Sequence, residues 1–95
     1  MAVIEVATFT LARDEDAFLA ADKQMQTDFA YQQPGCVRRT TARGDDGHWL
    51  VLTMWVDNAA ADAARAAEGD PIATDFWAHV APQSISRQRF EPLPG

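Results

Sequence analysis

Nine consecutive residues, His48-Trp49-Leu50-Val51-Leu52-Thr53-Met54-Trp55-Val56, carry apolar side chains at odd and even positions alike. Successive side chains of a β-strand point to opposite faces, so a strand with one wet face alternates in polarity. This one does not, and both of its faces must be covered. What lies over each face therefore decides fold, assembly and site together.

The flanking residues place this strand in a hairpin. Arg43-Gly44-Asp45-Asp46-Gly47 supplies the glycines and aspartates that a tight connection needs for positive φ angles. The strand before it, Cys36 to Arg43, contains Arg38, Arg39, Thr40, Thr41 and Arg43 and is too polar for a sheet centre, so it reads as an edge. The first strand, Val3 to Leu11, sets Val3, Ala7, Phe9 and Leu11 on one face and Ile4, Val6, Thr8 and Thr10 on the other, again largely apolar on both. Asp14 or Asp16 then caps a helix whose Phe18, Ala21, Met25 and Phe29 turn toward the sheet, with Asp22, Lys23, Gln26 and Gln33 on the solvated side. Pro34-Gly35 ends it.

After the apolar strand, Asp57 or Asn58 caps a second helix, Ala59 to Glu68, with an inner face of alanine and a stop at Gly69. Such a face either lets the helix approach the sheet closely or leaves a cavity. Asp70-Pro71 starts a short helix with Ile72, Phe76 and Val80 on one stripe, and Ala81-Pro82 stops it. The last strand, Ser84 to Glu91, mixes Ile85 and Phe90 with Arg87, Gln88 and Arg89 and reads as a second edge, followed by a tail over 92–95.

The order is βαββαβ in a single domain spanning 1–95. Right-handed crossovers turn it into an α+β, ferredoxin-like antiparallel sheet of four strands in order 4-1-3-2, with the helices on one face. The polar strands fall at the edges of that order and the apolar ones at its centre. The face without helices keeps an apolar patch, and a homodimer through this sheet face would close it.

Charge narrows the partners. The net charge is -6 and no Lys/Arg run is present, so nucleic acid and anionic membrane are not expected as partners. No apolar run approaches the roughly 20 residues of a membrane span, and a cytoplasmic protein is expected. The single cysteine, Cys36, forms no internal disulfide and reads as a small buried residue rather than a nucleophile.

The Gln33-Pro34-Gly35 strand entry, Arg39-Thr40, the Gly44-Asp45-Asp46-Gly47 hairpin and Met54-Trp55-Val56-Asp57 leading into a helix resemble the antibiotic biosynthesis monooxygenase-like family of dimeric α/β barrels. The likeness runs over essentially the whole chain. It implies a homodimer and a small aromatic or polyketide-type ligand, with cofactor-independent oxygenation as the activity; a non-catalytic ligand-binding or assembly protein on the same scaffold is the alternative. The family also contains haem-degrading enzymes. Those carry a first-strand asparagine where this chain has Thr8 and Thr10, and a second-helix tryptophan where it has alanine or Arg65, so no haem or other cofactor is expected.

A cofactor-free oxygenase needs a dry pocket and groups that favour an electron-rich anion of the substrate. His79, beside Trp77 on the short helix, is the candidate catalytic base, because histidine titrates near neutral pH; a histidine near a helix C-terminus can equally be a cap. Trp55, Trp77, Asn58 and Tyr31 are the candidate substrate-binding residues. Core packing explains Trp55 without a ligand, as helix capping does Asn58 and a solvated hydroxyl Tyr31. Arg38, Arg39, Arg87 and Arg89 read as solvated or ion-paired edge residues. No metal-ligand spacing, phosphate loop or dinucleotide fingerprint occurs. An enzyme of this kind requires a cavity of about 300 Å³ or more beside His79.

Overall fold

The computed structural model describes residues 1–94, so Gly95 of the expected tail lies outside the described residues. Four strands, β1 (Val3–Thr10), β2 (Cys36–Arg43), β3 (His48–Trp55) and β4 (Ser86–Phe90), form one antiparallel sheet in the order β2-β3-β1-β4. This is the expected 4-1-3-2 sheet read from its other edge. The helices are α1 (Glu15–Gln24), α2 (Asn58–Ala66) and α3 (Pro71–Ala78).

Local chemistry sets the boundaries. Asp14 caps α1 by accepting from the Ala17 N–H, Asp57 caps α2 through Ala60, and Asp70 caps α3 through Ile72 with Pro71 at the first helical position. Asp46 (φ 57) and Gly47 (φ 77) both take the left-handed conformation in the hairpin. The last strand begins two residues later than its composition suggests. Ser84 is held in a tight turn, its hydroxyl donating to the Ala81 carbonyl at 2.6 Å and accepting from the Thr10 N–H at 2.9 Å. The second helix runs from Asn58 to Ala66 rather than from Ala59 to Glu68, which frees Glu68 to turn inward.

Past Gln24 the first helix widens into a π-turn over Met25–Phe29, where the Ala30 N–H reaches the carbonyls of both Met25 and Gln26. Met25 and Phe29 are both buried there, and such turns are frequent at functional sites. Gly35 (φ +84) then lets the chain pass close under α2: a Cβ there would stand 2.6 Å from the Ala60 Cβ and 2.8 Å from a Val56 methyl.

Odd-numbered residues of the two central strands face the helices. Phe9, Phe18, Trp49 and Phe76 form the centre of the core, with ring centroids 4.9 to 6.2 Å apart in edge-to-face and tilted contacts. A smaller cluster of Val3, Trp55, Ala61 and Ala64 packs α2 onto the end of the sheet. Even-numbered residues point away. There Ile4 pairs with Met54, Val6 with Leu52 and Thr8 with Leu50, all half-buried on the face that carries no helix.

Candidate functional site

Between the sheet and α2 lies a partly open cavity of about 50 Å³. Met25, Phe29, Val51, Phe76 and Trp77 give it an apolar wall, and Thr53, Trp55, Arg39, Arg65, Glu68 and Arg87 bring polar atoms to it. Small residues make the space: Ala61 and Ala64 are buried against it where larger side chains would fill it. The alanine face of the second helix thus does both things open to it, a close approach at Gly35 and a cavity beyond. The volume holds water, not a ring; a cavity of about 150 Å³ is what benzene needs.

Arg39 is the unexpected member. Its residue is 5% exposed on an edge strand whose polarity suggested solvent. The hairpin register pairs Arg39 with Thr53 and Thr41 with Val51, which turns the odd residues of β2 toward the helices. The guanidinium meets Asp22 Oδ1 at 2.9 Å, and its Nη1 donates to Gln26 Oε1 and Thr41 Oγ1, both at 3.3 Å. The Thr41 hydroxyl in turn donates to Asp22 Oδ1 at 2.8 Å. Asp22 and Gln26 therefore do not lie on the solvated side of the first helix as expected; they are the lining of an ion pair. The guanidinium also stacks 5.3 Å from the Phe76 ring centroid.

Glu68 organises the opposite side. Its carboxylate accepts from the Trp77 indole N–H at 3.2 Å and from Arg87 at 3.4 Å, while Arg65 stands 3.9 Å away. The Arg87 guanidinium lies over the Trp77 ring at 4.4 Å. These side chains, none of them fully buried, line the same cavity.

Of the residues singled out from the sequence, Trp55 and Trp77 line the cavity, and His79, Asn58 and Tyr31 do not. His79 caps the C-terminus of α3 with its Nε2 3.9 Å from Asp75; its buried Nδ1 has no partner among the described residues. His79, beside which a cavity of about 300 Å³ was expected, borders neither the small space under α2 nor the open groove of about 350 Å³ that Gly35 and Val56 form with the alanines of α2. Asn58 accepts from Arg89 at 3.2 Å at the sheet edge. Tyr31 serves the site from behind: its hydroxyl accepts from the Arg39 backbone N–H and donates to the Arg39 carbonyl, each at 3.2 Å, so it closes the free edge of β2 where the guanidinium departs. Burial pushes the Cys36 thiol up, against the opposing pull of the Arg39 charge, which favours its protonated form. Among the described residues no three His, Cys, Asp or Glu side chains converge as a metal would require, and no helix is long and apolar enough to cross a membrane.

Sheet order, helix placement and cavity position define a ferredoxin-like domain with its site between sheet and helices. Residues 2–69 match the antibiotic biosynthesis monooxygenase family, and the chain belongs to it. It is similar to SnoaB, a cofactor-independent oxygenase from Streptomyces nogalater, at 26% identity over 99% of this chain and 95% of that one, with a TM-score of 0.83. Rv0793 from Mycobacterium tuberculosis shares the fold at 17% identity, covering 100% of this chain and 98% of that one with a TM-score of 0.68. Protein SO0527 from Shewanella oneidensis does so at 18%, covering 94% and 88%, with a TM-score of 0.70. No curated protein matches the chain.

Proposed function

We propose that this protein is a homodimeric, cofactor-independent oxygenase that takes a small phenolic aromatic or polyketide-type molecule into the space under α2. The observation that carries this reading is the cavity itself: a largely aromatic and aliphatic wall that also contains a buried guanidinium and an indole, in a chain of the monooxygenase family. Such a site supplies what oxygenation without a cofactor asks of a protein, namely a dry place in which an electron-rich anion is favoured and held. The chemistry balances on the substrate alone. An anthrone gives up four electrons to O2; one oxygen atom enters the ring as a carbonyl and the other leaves as water.

A ring fits only when the space enlarges, and Glu68, Arg87, Arg65 and Trp77, which line the cavity without being fully buried, are side chains able to swing outward. Oxygen consumption with a panel of anthrols and quinols tests the activity. Uptake well above the uncatalysed rate is expected with at least one member. Ligands that bind without any uptake would replace the oxygenase by a binding protein on the same scaffold. His79→Ala belongs in the same assay: lost uptake would make the histidine the base from outside the cavity wall, and retained uptake would remove it from the mechanism and leave the substrate proton to water, with the buried guanidinium favouring the anion that remains.

The dimer follows from the bare sheet face. Burying Ile4, Val6, Leu50, Leu52 and Met54 against their counterparts contributes about 1.5–3 kcal/mol per large side chain that becomes fully covered, enough to exceed the cost of association. Sedimentation is expected to give a dimer at micromolar concentration, and Leu52→Asp to shift it toward monomer. A wild-type monomer under those conditions would overturn the assembly.

A further inference from the structure

We propose that Glu5 is the catalytic base of this cavity, taking the proton whose loss makes the bound ring electron-rich. The proposal rests on the oxygenase reading of the site and puts a carboxylate of the first strand where water would otherwise act.

The sheet register carries it. Glu5 pairs with Thr53 on one side and Arg89 on the other, and Thr53 pairs with Arg39, so Arg39, Thr53, Glu5 and Arg89 form one row across all four strands. The first three line the cavity. Directly opposed residues have Cβ atoms about 4.5–5.5 Å apart, so the side chains of Arg39 and Glu5 leave the floor about 10 Å from one another. That is the span of a ring with a contact at each end, once the space has opened. Neither group neutralises the other: the guanidinium is engaged by Asp22 at 2.9 Å and the carboxylate by Arg89 at 3.0 Å.

Proton acceptors in the wall are few. A guanidinium has no free lone pair to offer, and His79 does not border the space, which leaves Glu5 and Glu68. Glu68 has both oxygens occupied, Oε2 by the Trp77 indole and Oε1 by Arg87. Glu5 has one occupied: Arg89 Nε donates to Oε2, and no other described residue bonds the carboxylate. Its side chain is only 17% exposed, on a central strand, whereas Glu68 sits in the turn beyond α2. Arg89 is itself shared with Asp62 at 2.8 Å and Asn58 at 3.2 Å, so its charge answers two carboxylates while it holds Glu5 in place.

With an anthrone, the carbonyl oxygen faces Arg39 and the methylene across the ring faces Glu5. One methylene C–H bond breaks; the proton passes to Glu5 Oε1, and the electron pair enters the ring to leave an enolate oxygen toward the guanidinium. A carboxylate set opposite an oxyanion stabiliser removes such protons although it is the weaker base. The enolate then gives its electrons to O2. The protonated carboxyl returns its proton to the peroxide so formed, and loss of hydroxide with the second methylene hydrogen, as water, leaves the new carbonyl.

Exchange of the anthrone methylene hydrogens for deuterium, followed by NMR in oxygen-free D2O, reads the proton transfer apart from the oxidation. The wild-type protein is expected to accelerate exchange. Glu5→Gln keeps the size and the acceptor for Arg89; it is expected to lose about 100-fold or more of that acceleration, and of kcat for oxygen uptake, with KM and melting temperature little changed. Glu5→Asp keeps the charge but withdraws it by one methylene, and is expected to fall between the two. Undiminished exchange in Glu5→Gln overturns the proposal, and persisting uptake in that variant leaves the oxygenase standing; if Glu5→Gln does not fold, undiminished exchange in Glu5→Asp overturns it in the same way. Exchange that depends on Glu5 in a protein consuming no oxygen would sustain the base and remove the oxygenase. A wild type that accelerates neither process overturns both.

Discussion

Phe18→Ala is expected to destabilise the fold by about 3–5 kcal/mol, the largest cost of any single truncation in this chain. Phe18 is fully buried, and its ring stands 5.8 Å from Phe9, 4.9 Å from Trp49 and 5.4 Å from Phe76. It is the one aromatic that touches a central strand on each side and α3 as well. Removing it takes away the transfer energy of a whole ring and leaves a hole that three rigid neighbours cannot fill without leaving their own contacts. In a domain of this size each kcal/mol lowers the melting temperature by about 4–8 °C, so thermal unfolding at fixed protein concentration reads the effect directly. Leu19→Ala is the comparison, since Leu19 is exposed on the same helix and is expected to cost well under about 1 kcal/mol. Similar losses for the two would mean that the aromatic cluster is not the centre of the core.

That cluster also shows where sequence reasoning stopped. The apolar pattern of β3 correctly required cover on both faces, and the polarity of β2 and β4 correctly made them edges. Neither could say which parity meets the helices, because Val6, Leu50 and Leu52 are as apolar as Val3, Trp49 and Val51. The answer lies in size: the large rings of Phe9 and Trp49 fill the depth between sheet and helix, and the open face keeps smaller aliphatic side chains such as Ile4, Val6, Leu50 and Leu52. The site was harder to read for a related reason. Edge-strand polarity said that β2 borders solvent along its length, yet every second residue of an edge strand still points into the layer beneath the helices. Arg39, Thr41 and Arg43 take that direction and meet Asp22 and Glu15 of α1. The hairpin register contained the signal, because Arg39 shares parity with Val51 and Trp55 across the turn. His79 misled in the opposite way. It follows Trp77 by two residues, and helix positions two apart do not share a face, so the tryptophan lines the cavity and the histidine cannot.

Asp22→Ala is expected to cost about 3–5 kcal/mol, as breaking a buried ion pair does when it leaves one charge behind. The side chains of Arg39 and Asp22 are 3% and 14% exposed, so little water is at hand to replace the carboxylate. Loss of Asp22 also strands the Thr41 hydroxyl that donates to it. Replacing both partners, as Asp22→Leu with Arg39→Met, removes the charges together and is expected to restore most of the loss, since apolar residues of similar volume are often as stable in such places. Chemical denaturation of the two single variants and the double one gives the coupling energy, expected to exceed about 2 kcal/mol; additive losses would show that the pair is not a unit. The cheapness of the double replacement carries the functional argument. If Leu and Met hold the fold as well as the ion pair does, packing alone does not explain a guanidinium in the cavity wall, and a role toward a bound ligand does. The double variant should then fold normally while losing oxygen uptake with the anthrol and quinol panel. Retention of that uptake would leave Arg39 as a structural cation.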